Sequence, residues 1–188
     1  NFKITAPSIS SPIAHPLVDQ GEGLFIGRME IPQYLHLPQG QLVIEMMSQQ
    51  PINDQQFLNF RGQLTINEPI NIDTVPPTII SVEHDAVTVG GLSQPIGLRQ
   101  TVEIRLIGSG GNHAKFQIRQ KSNGSILAQG IMKEISDSAD SKDQAHTYIG
   151  HYTIESSTIQ TDTQNTQVIG VLSDLAGNTA QLQSLIPL

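Results

Sequence analysis

Thr101 to Ile107 reads TVEIRLI, in which Val102, Ile104 and Leu106 alternate with Glu103 and Arg105. A period of two puts one set of side chains on one face of an extended strand and the other set on the opposite face. The stretches TIISVE (78–83), AKFQIR (114–119), SILAQGIMKE (125–134), TYIGHYTI (147–154), TQVIGVLS (166–173) and TAQLQSLI (179–186) read the same way. Turn-formers separate them: GSGGN at 108–112, Asn123-Gly124, and DLAGN at 174–178. No stretch of about 12 residues carries an apolar stripe of helical period. Many short strands punctuated by turns predict an all-β protein of antiparallel sandwich type.

Residues 1–73 and 77–188 repeat one another. A shift of 114 brings Phe2, Ile4, Ser11 and Ala14 onto Phe116, Ile118, Ser125 and Ala128. A shift of 123 lays FIGRMEI (25–31) on YIGHYTI (148–154). A shift of 125 brings Val43, Ile44, Ser48 and Asn53 onto Val168, Ile169, Ser173 and Asn178. A shift of 118 pairs Gln63, Leu64 and Pro69 with Gln181, Leu182 and Pro187. Shifts that change only between strands mean insertions confined to loops. Two modules are therefore expected, residues 1–73 and 78–188, with a stiff join at 74–77 around Pro76-Pro77.

The duplicated heptapeptide keeps a glycine inside its strand, Gly27 and Gly150. Phe25/Tyr148, Met29/Tyr152 and Ile31/Ile154 share that face and are expected to meet a core. A strand-interior glycine costs roughly 0.5–1 kcal/mol. Its recurrence therefore predicts a bulky group from the opposite sheet in the gap, or a bend of the strand. Core positions of the second module are expected at Ile79, Val102, Ile104, Leu106, Phe116, Ile118, Tyr152, Ile154, Val168 and Leu182.

DTVPPTIISVEHDA, VEIRLIGSGGNHAKFQI, YIGHYTI and VIGVLSDLAGNTAQ resemble the bacterial immunoglobulin-like extracellular repeats. These open on an Asp-x-x-Pro-Pro-x-Ile join, carry a Gly-x-Tyr strand and close on a Leu-x-Asp-x-Ala-Gly-Asn hairpin. The resemblance spans nearly all of the second module and part of the first. It implies two tandem immunoglobulin-like antiparallel β-sandwich modules, at the cell surface or secreted, in a structural or adhesive segment. The first module departs from the pattern, with SQQPIN in place of SDLAGN. An alternative is a non-catalytic glycan- or peptide-binding module appended to an extracellular enzyme.

Charge narrows the partners. Ten basic residues against 17 acidic ones give a net charge of -7, which argues against a polyanionic partner such as nucleic acid. No apolar run approaches the roughly 18 residues of a membrane-spanning helix. The absence of cysteine removes disulfides, thiolate metal sites and a cysteine nucleophile.

No catalytic constellation appears, and the chain is read as non-enzymatic. There is no G-x-S-x-G elbow, and GSGGN precedes a strand, which makes it a hairpin loop rather than a phosphate cradle. His15, His36, His84, His113, His146 and His151 form no H-x-H or H-E-x-x-H pattern. In DLAGN, Gly177 and Asn178 suit a turn with φ > 0, and Asp174 can accept backbone N–H bonds across it. The segment 136–146, SDSADSKDQAH, is inserted relative to the first module and spaces Asp137, Asp140 and Asp143 by three. Oxygen ligands on a turning loop are what calcium requires, yet the EF-hand spacing and its closing Glu are absent. The reading is a solvated loop with no cofactor, and the alternative is a weak calcium site at Asp137, Asp140 and Asp143.

The first module is expected to be incomplete at its N-terminus. Phe2 matches Phe116, whereas the second module places Pro77 to Ala114, its opening strands, before that point. The missing strands are expected upstream, or in trans by β-strand addition from a protein partner or a second copy, and the third alternative is a genuinely reduced domain.

Chelation of divalent metal is expected to leave the melting temperature unchanged. A calcium-dependent rise in that temperature, lost in Asp137→Ala or Asp140→Ala, would contradict the solvated-loop reading.

Overall fold

The structure, a computed structural model, describes residues 1–188 apart from 54, 55, 88, 89, 93, 95, 111, 112, 136–144 and 156–164, and apart from the side chains of 49, 52, 53 and 56–58. It is all-β, with every strand pair antiparallel and no helix among the described residues. The chain divides into two compact units, Asn1–Val75 and Pro76–Leu188.

The second unit contains β8 (Ile79–His84), β9 (Thr101–Ser109), β10 (His113–Gln120), β11 (Ile126–Ile135), β12 (Ala145–Thr153), β13 (Thr166–Ser173) and β14 (Thr179–Gln183). They form one seven-stranded sheet in the order β14-β13-β10-β11-β12-β9-β8. The sheet rolls until its end strand β8 lies against β13 and β14, giving a nearly barrel-like, sandwich-like body. The long strand β11 makes the roll continuous. Its residues 126–132 pair with β10, and Lys133–Ile135 pair with β12.

The alternation in TVEIRLI is realised: Val102, Ile104 and Leu106 are buried. They join Phe116, Ile118, Tyr148, Val168 and Leu172 in one core. Ile154 is also buried, while Ile79 and Tyr152 are half-buried against the core. Leu182 is corrected: it lies on the outermost strand β14 and is 37% exposed. The fully buried Tyr148 satisfies its hydroxyl by donating to the Ser109 carbonyl at 2.8 Å, as burial of a phenol requires.

Gly150 has the expected filler. A Cβ there would stand 2.8 Å from Phe116 Cδ1, and one on Gly130 would stand 2.5 Å from Phe116 Cε1. Phe116 and Gly130 face each other on adjacent strands, whereas Gly150 lies across the core on β12. One ring thus fills two gaps and joins the two halves of the roll.

GSGGN is corrected too. It leaves β9 for β10, and these strands are not neighbours in the sheet. Its described residues begin a crossover between the halves rather than a hairpin. A Cβ on Gly108 would stand 2.5 Å from the Thr78 carbonyl oxygen, so that close approach requires glycine.

The first unit contains β1 (Phe2–Thr5), β2 (Ile13–His15), β3 (Val18–Asp19), β4 (Phe25–Ile26), β5 (His36–Asn53), β6 (Gln56–Thr65) and β7 (Ile70–Asp73). Its sheet runs β2-β1-β5-β6, with β7 on the start of β5 and β3-β4 forming a separate pair. This is the same neighbour order as β11-β10-β13-β14.

The register refines the sequence match. Phe2, Ile44 and Leu64 form one row across the first sheet, and Phe116, Gly170 and Leu182 form one row across the second. Ile44 therefore corresponds to Gly170, one residue beyond the Ile169 given by the shift of 125. A one-residue slip in a strand exchanges its faces, so packing rather than local identity sets the match.

FIGRMEI differs from its twin. Only Phe25–Ile26 is strand, and Phe25 and Ile31 are exposed rather than in a core. The glycine logic nevertheless repeats, because a Cβ on Gly27 would overlap the ring of Phe2, the counterpart of Phe116.

Gly150→Ala is expected to cost the second unit roughly 1–3 kcal/mol through overpacking. Phe116→Ala is expected to cost about 3–5 kcal/mol through the cavity it leaves. The double variant should lose less than the sum, because the new methyl no longer meets the ring. Urea denaturation of the three variants checks this, and strict additivity would contradict it.

Candidate interaction site

The first unit buries one end of its sheet and leaves the other open. Ile4 and Leu37 are buried beside Gly40, and Phe2 and Leu17 cover Gly27. Further along the same face, Met46 is 48% exposed, Phe60 51% and Leu64 57%. Met46 pairs with Gly62 and Ser48 with Phe60, so these residues lie on the Phe2–Ile44–Leu64 side of the ribbon. The corresponding row of the second unit, Leu172 with Ala180, has Leu172 fully buried. There Val82 and Leu106, from β8 and β9, fill the neighbouring gap at Gly170.

Gly62 separates this face from the rest of the molecule. Six described glycines lie in strands: Gly40, Gly62, Gly108, Gly130, Gly150 and Gly170. Five have backbone or side-chain atoms crowding the place where a Cβ would stand. At Gly62 nothing comes within 4 Å, and its φ is not positive. The other glycines with such open space, Gly21, Gly23, Gly91, Gly124 and Gly177, all have positive φ, which explains each of them locally.

The edge of β5 is open beside this face. Asn1 and Glu45 exchange backbone hydrogen bonds at 2.8 Å. Beyond that point, among the described residues, Met46 to Asn53 pair with β6 alone. Glu45 points its backbone toward β1, so the backbones of Met47 and Gln49 point to the same open side. Pro51 follows in the same phase and has no N–H to offer, which limits the free ladder.

The opposite face is charged. Lys3 donates to Glu45 Oε1 at 2.6 Å. That bond, foremost, and the Lys3, Arg61 and N-terminal charges hold the Glu45 carboxyl below the ordinary carboxylate range, against a smaller desolvation effect. Elsewhere, burial pushes the Tyr152 phenol above its ordinary range, with the Glu155 carboxylate adding to the effect. The neutral ring packs edge-on to Phe116 with centroids 6.4 Å apart.

Asp137, Asp140 and Asp143 lie outside the described residues, and no cluster of three or more metal-ligating side chains occurs among those described. Asp174 holds its turn: Oδ1 accepts the Asn178 N–H at 2.8 Å and Oδ2 accepts the Asn178 side-chain amide at 2.8 Å. Gly177 takes the positive φ expected there, whereas Asn178 does not. The histidines are dispersed. His15 stacks on Phe2, His36 lies 3.4 Å from Asp73, His146 pairs with Glu134 at 2.5 Å, and His151 lies 3.7 Å from Glu103. His84 is buried and donates through Nε2 to the Ile186 carbonyl at 3.0 Å. Of the tyrosines, Tyr34 is exposed, Tyr148 buried and Tyr152 half-buried.

The incompleteness expected of the first module does not by itself locate the face at Gly62. Its one sequence signal is a glycine two residues after Phe60 in the strand QFLNFRGQLT.

No protein-family model, curated protein or solved structure matches the chain. No helix among the described residues is long and apolar enough to cross a membrane.

The Lys3–Glu45 pair generates a pH dependence. A depressed carboxyl pKa stabilises the fold above the unfolded carboxylate value, and that contribution fades as pH falls through the folded value. Lys3→Met is therefore expected to lower the stability of the first unit at neutral pH and to converge on the native protein in acid. Denaturation at a series of pH values checks the sign. A difference that grows on acidification would contradict it.

Proposed function

We propose that this chain is a structural or adhesive segment of a secreted or cell-surface protein, built of tandem immunoglobulin-like modules, that mediates protein–protein assembly or spacing. The observation that carries this reading is the backbone edge of β5 beyond Glu45, which among the described residues pairs with β6 alone and is bordered by the exposed apolar face at Met46, Phe60 and Leu64. An edge with unpaired N–H and C=O groups is a template for an added strand from another chain. An adjoining apolar face supplies the burial that an isolated two-stranded ribbon lacks. The extracellular setting rests on the resemblance of the DTVPPTII, YIGHYTI and VLSDLAGN stretches to surface repeats.

The test is a capture screen on the intact chain, run beside a glycan array. Capture of a protein partner by the native chain is expected. Met47→Pro should abolish it, because that change removes an outward N–H without touching the β5–β6 ladder. A glycan hit that survives Met47→Pro, with no protein captured, would replace this reading with that of a glycan-binding module.

A further inference from the structure

The outer face of β11-β10-β13-β14 in the second unit carries no carboxylate among the described residues. Phe116, Gly130 and Gly170 mark the inner side of these strands, so their neighbours in sequence point outward. The outward set holds three cations, Lys115 and Arg119 on β10 and Lys133 on β11. Glutamines lie among them in register. One row across the sheet is Gln129, Gln117, Ile169 and Gln183, and the next is Ile131, Lys115, Val171 and Gln181. We infer that this face binds a carboxylated polysaccharide, with the three cations meeting its carboxylates and the glutamines its hydroxyls.

The cations have no acid of their own. Ion pairs among the described residues use Lys3, Arg105, His36, His146 and His151, and none of these three. The acids of the unit stand elsewhere. Glu83 and Glu103 lie on β8 and β9, and Glu134 is on the inner side with His146. Asp174 sits in the turn beyond the face, with both oxygens taken by Asn178. The net charge of -7, which argues against a polyanion for the chain as a whole, is therefore a sum over unlike surfaces. Arg119 is also fixed in place. Its Nε donates to Gln117 Oε1 at 3.0 Å, and its Nη2 donates to the same oxygen. That holds the guanidinium plane and leaves its Nη1 side for a carboxylate. Ile169 points outward yet is only 7% exposed, as happens when the side chains around it lie over it. The glutamines flanking it in register thus form a layer on the sheet.

The chemistry of the face selects among anionic partners. Lys115 and Arg119, four residues apart on one strand, stand about 13 Å apart by strand rise. Lys133 lies on a diagonal from Lys115, at roughly 7–8 Å. A nucleic-acid strand carries a charge every 3.4 Å or so and calls for denser cations. A polysaccharide with at most one carboxylate per sugar ring spaces its charges more widely and offers hydroxyls between them. Amide side chains both donate to and accept from hydroxyls. A protein interface has an apolar or aromatic centre poor in lysine. Here the centre is glutamine and lysine, and the exposed Leu127, Ile131 and Ile135 lie along the β11 margin. No aromatic side chain among the described residues stands on this face, so a neutral sugar has no ring to stack on.

Isothermal titration of the 188-residue chain with polygalacturonate is the test, with circular dichroism confirming that each variant is folded. Binding is expected at low salt and should fall by about tenfold or more when salt is raised to roughly 0.5 M. Lys115→Glu with Arg119→Glu should weaken it by about tenfold or more, and Lys115→Gln with Arg119→Gln should weaken it in the same direction. Arg28→Glu with Arg61→Glu makes the same charge change at exposed residues of the first unit and should leave binding intact, as should Met47→Pro. Fully methyl-esterified polygalacturonate should not bind. Absence of binding at low salt overturns the inference. So does an equal loss in the two charge-reversed pairs, or binding of polyglutamate or single-stranded DNA as tight as that of polygalacturonate. Protein capture through the β5 edge is a separate readout, so either reading can fail without the other.

Discussion

The second unit depends on one aromatic ring placed where two strands have given up their side chains. Phe116 covers Gly130 on the neighbouring strand and reaches across the core to Gly150 on β12. Two sheet halves that meet only through alternating Val, Leu and Ile would have many near-equivalent packings. A single large knob facing two glycine holes leaves few. The buried rows formed by Val102, Ile104 and Leu106 on one side and Ile118, Val168 and Leu172 on the other can then close at native density. The same economy recurs at Gly170, where Val82 and Leu106 approach a bare backbone, and at Gly27 beneath Phe2.

The two units answer differently to this rule. In the second, β8 and β9 close the roll, so Leu172 is buried. In the first, the sheet of the same strand order is covered near Phe2, Leu17 and Gly27, and bare at Met46, Phe60 and Leu64. Exposed apolar residues scattered over a surface need no explanation. Here, among the described residues, a contiguous apolar set lies beside an edge of β5 and a glycine with open space, at the positions that β8 and β9 cover in the second unit. The charged pair of Lys3 and Glu45 sits on the opposite side of the same strands, which keeps the open face neutral.

The β class, the strands TVEIRLI, AKFQIR and YIGHYTI, the turn at Asp174–Gly177 and most of the core were legible in the chain. Each rests on local physics: alternation that suits a pleated strand, glycine at a positive φ, and a carboxylate that caps its own turn. The strand order and the closure of the roll were not legible. GSGGN looks like a hairpin turn because a glycine-rich loop permits either a reversal or a crossover, and only the partners of β9 and β10 choose between them. Leu182 alternates correctly and is still exposed, since period two names a face without saying whether anything covers it.

By itself, then, the sequence determined that the chain is all-β, that it divides near Pro76, and that glycines at 27 and 150 call for either a bulky filler or a bend of the strand. Those properties follow from contacts between near neighbours or from a residue's own backbone freedom. The tertiary structure alone decided that Phe2 and Phe116 are the fillers, that Ile44 rather than the Glu45 implied by the shift of 125 shares the row of Phe2, and that Gly62 has open space around it among the described residues. Each of these depends on the registration of strands distant in sequence, which local propensity leaves open and which burial of the core settles.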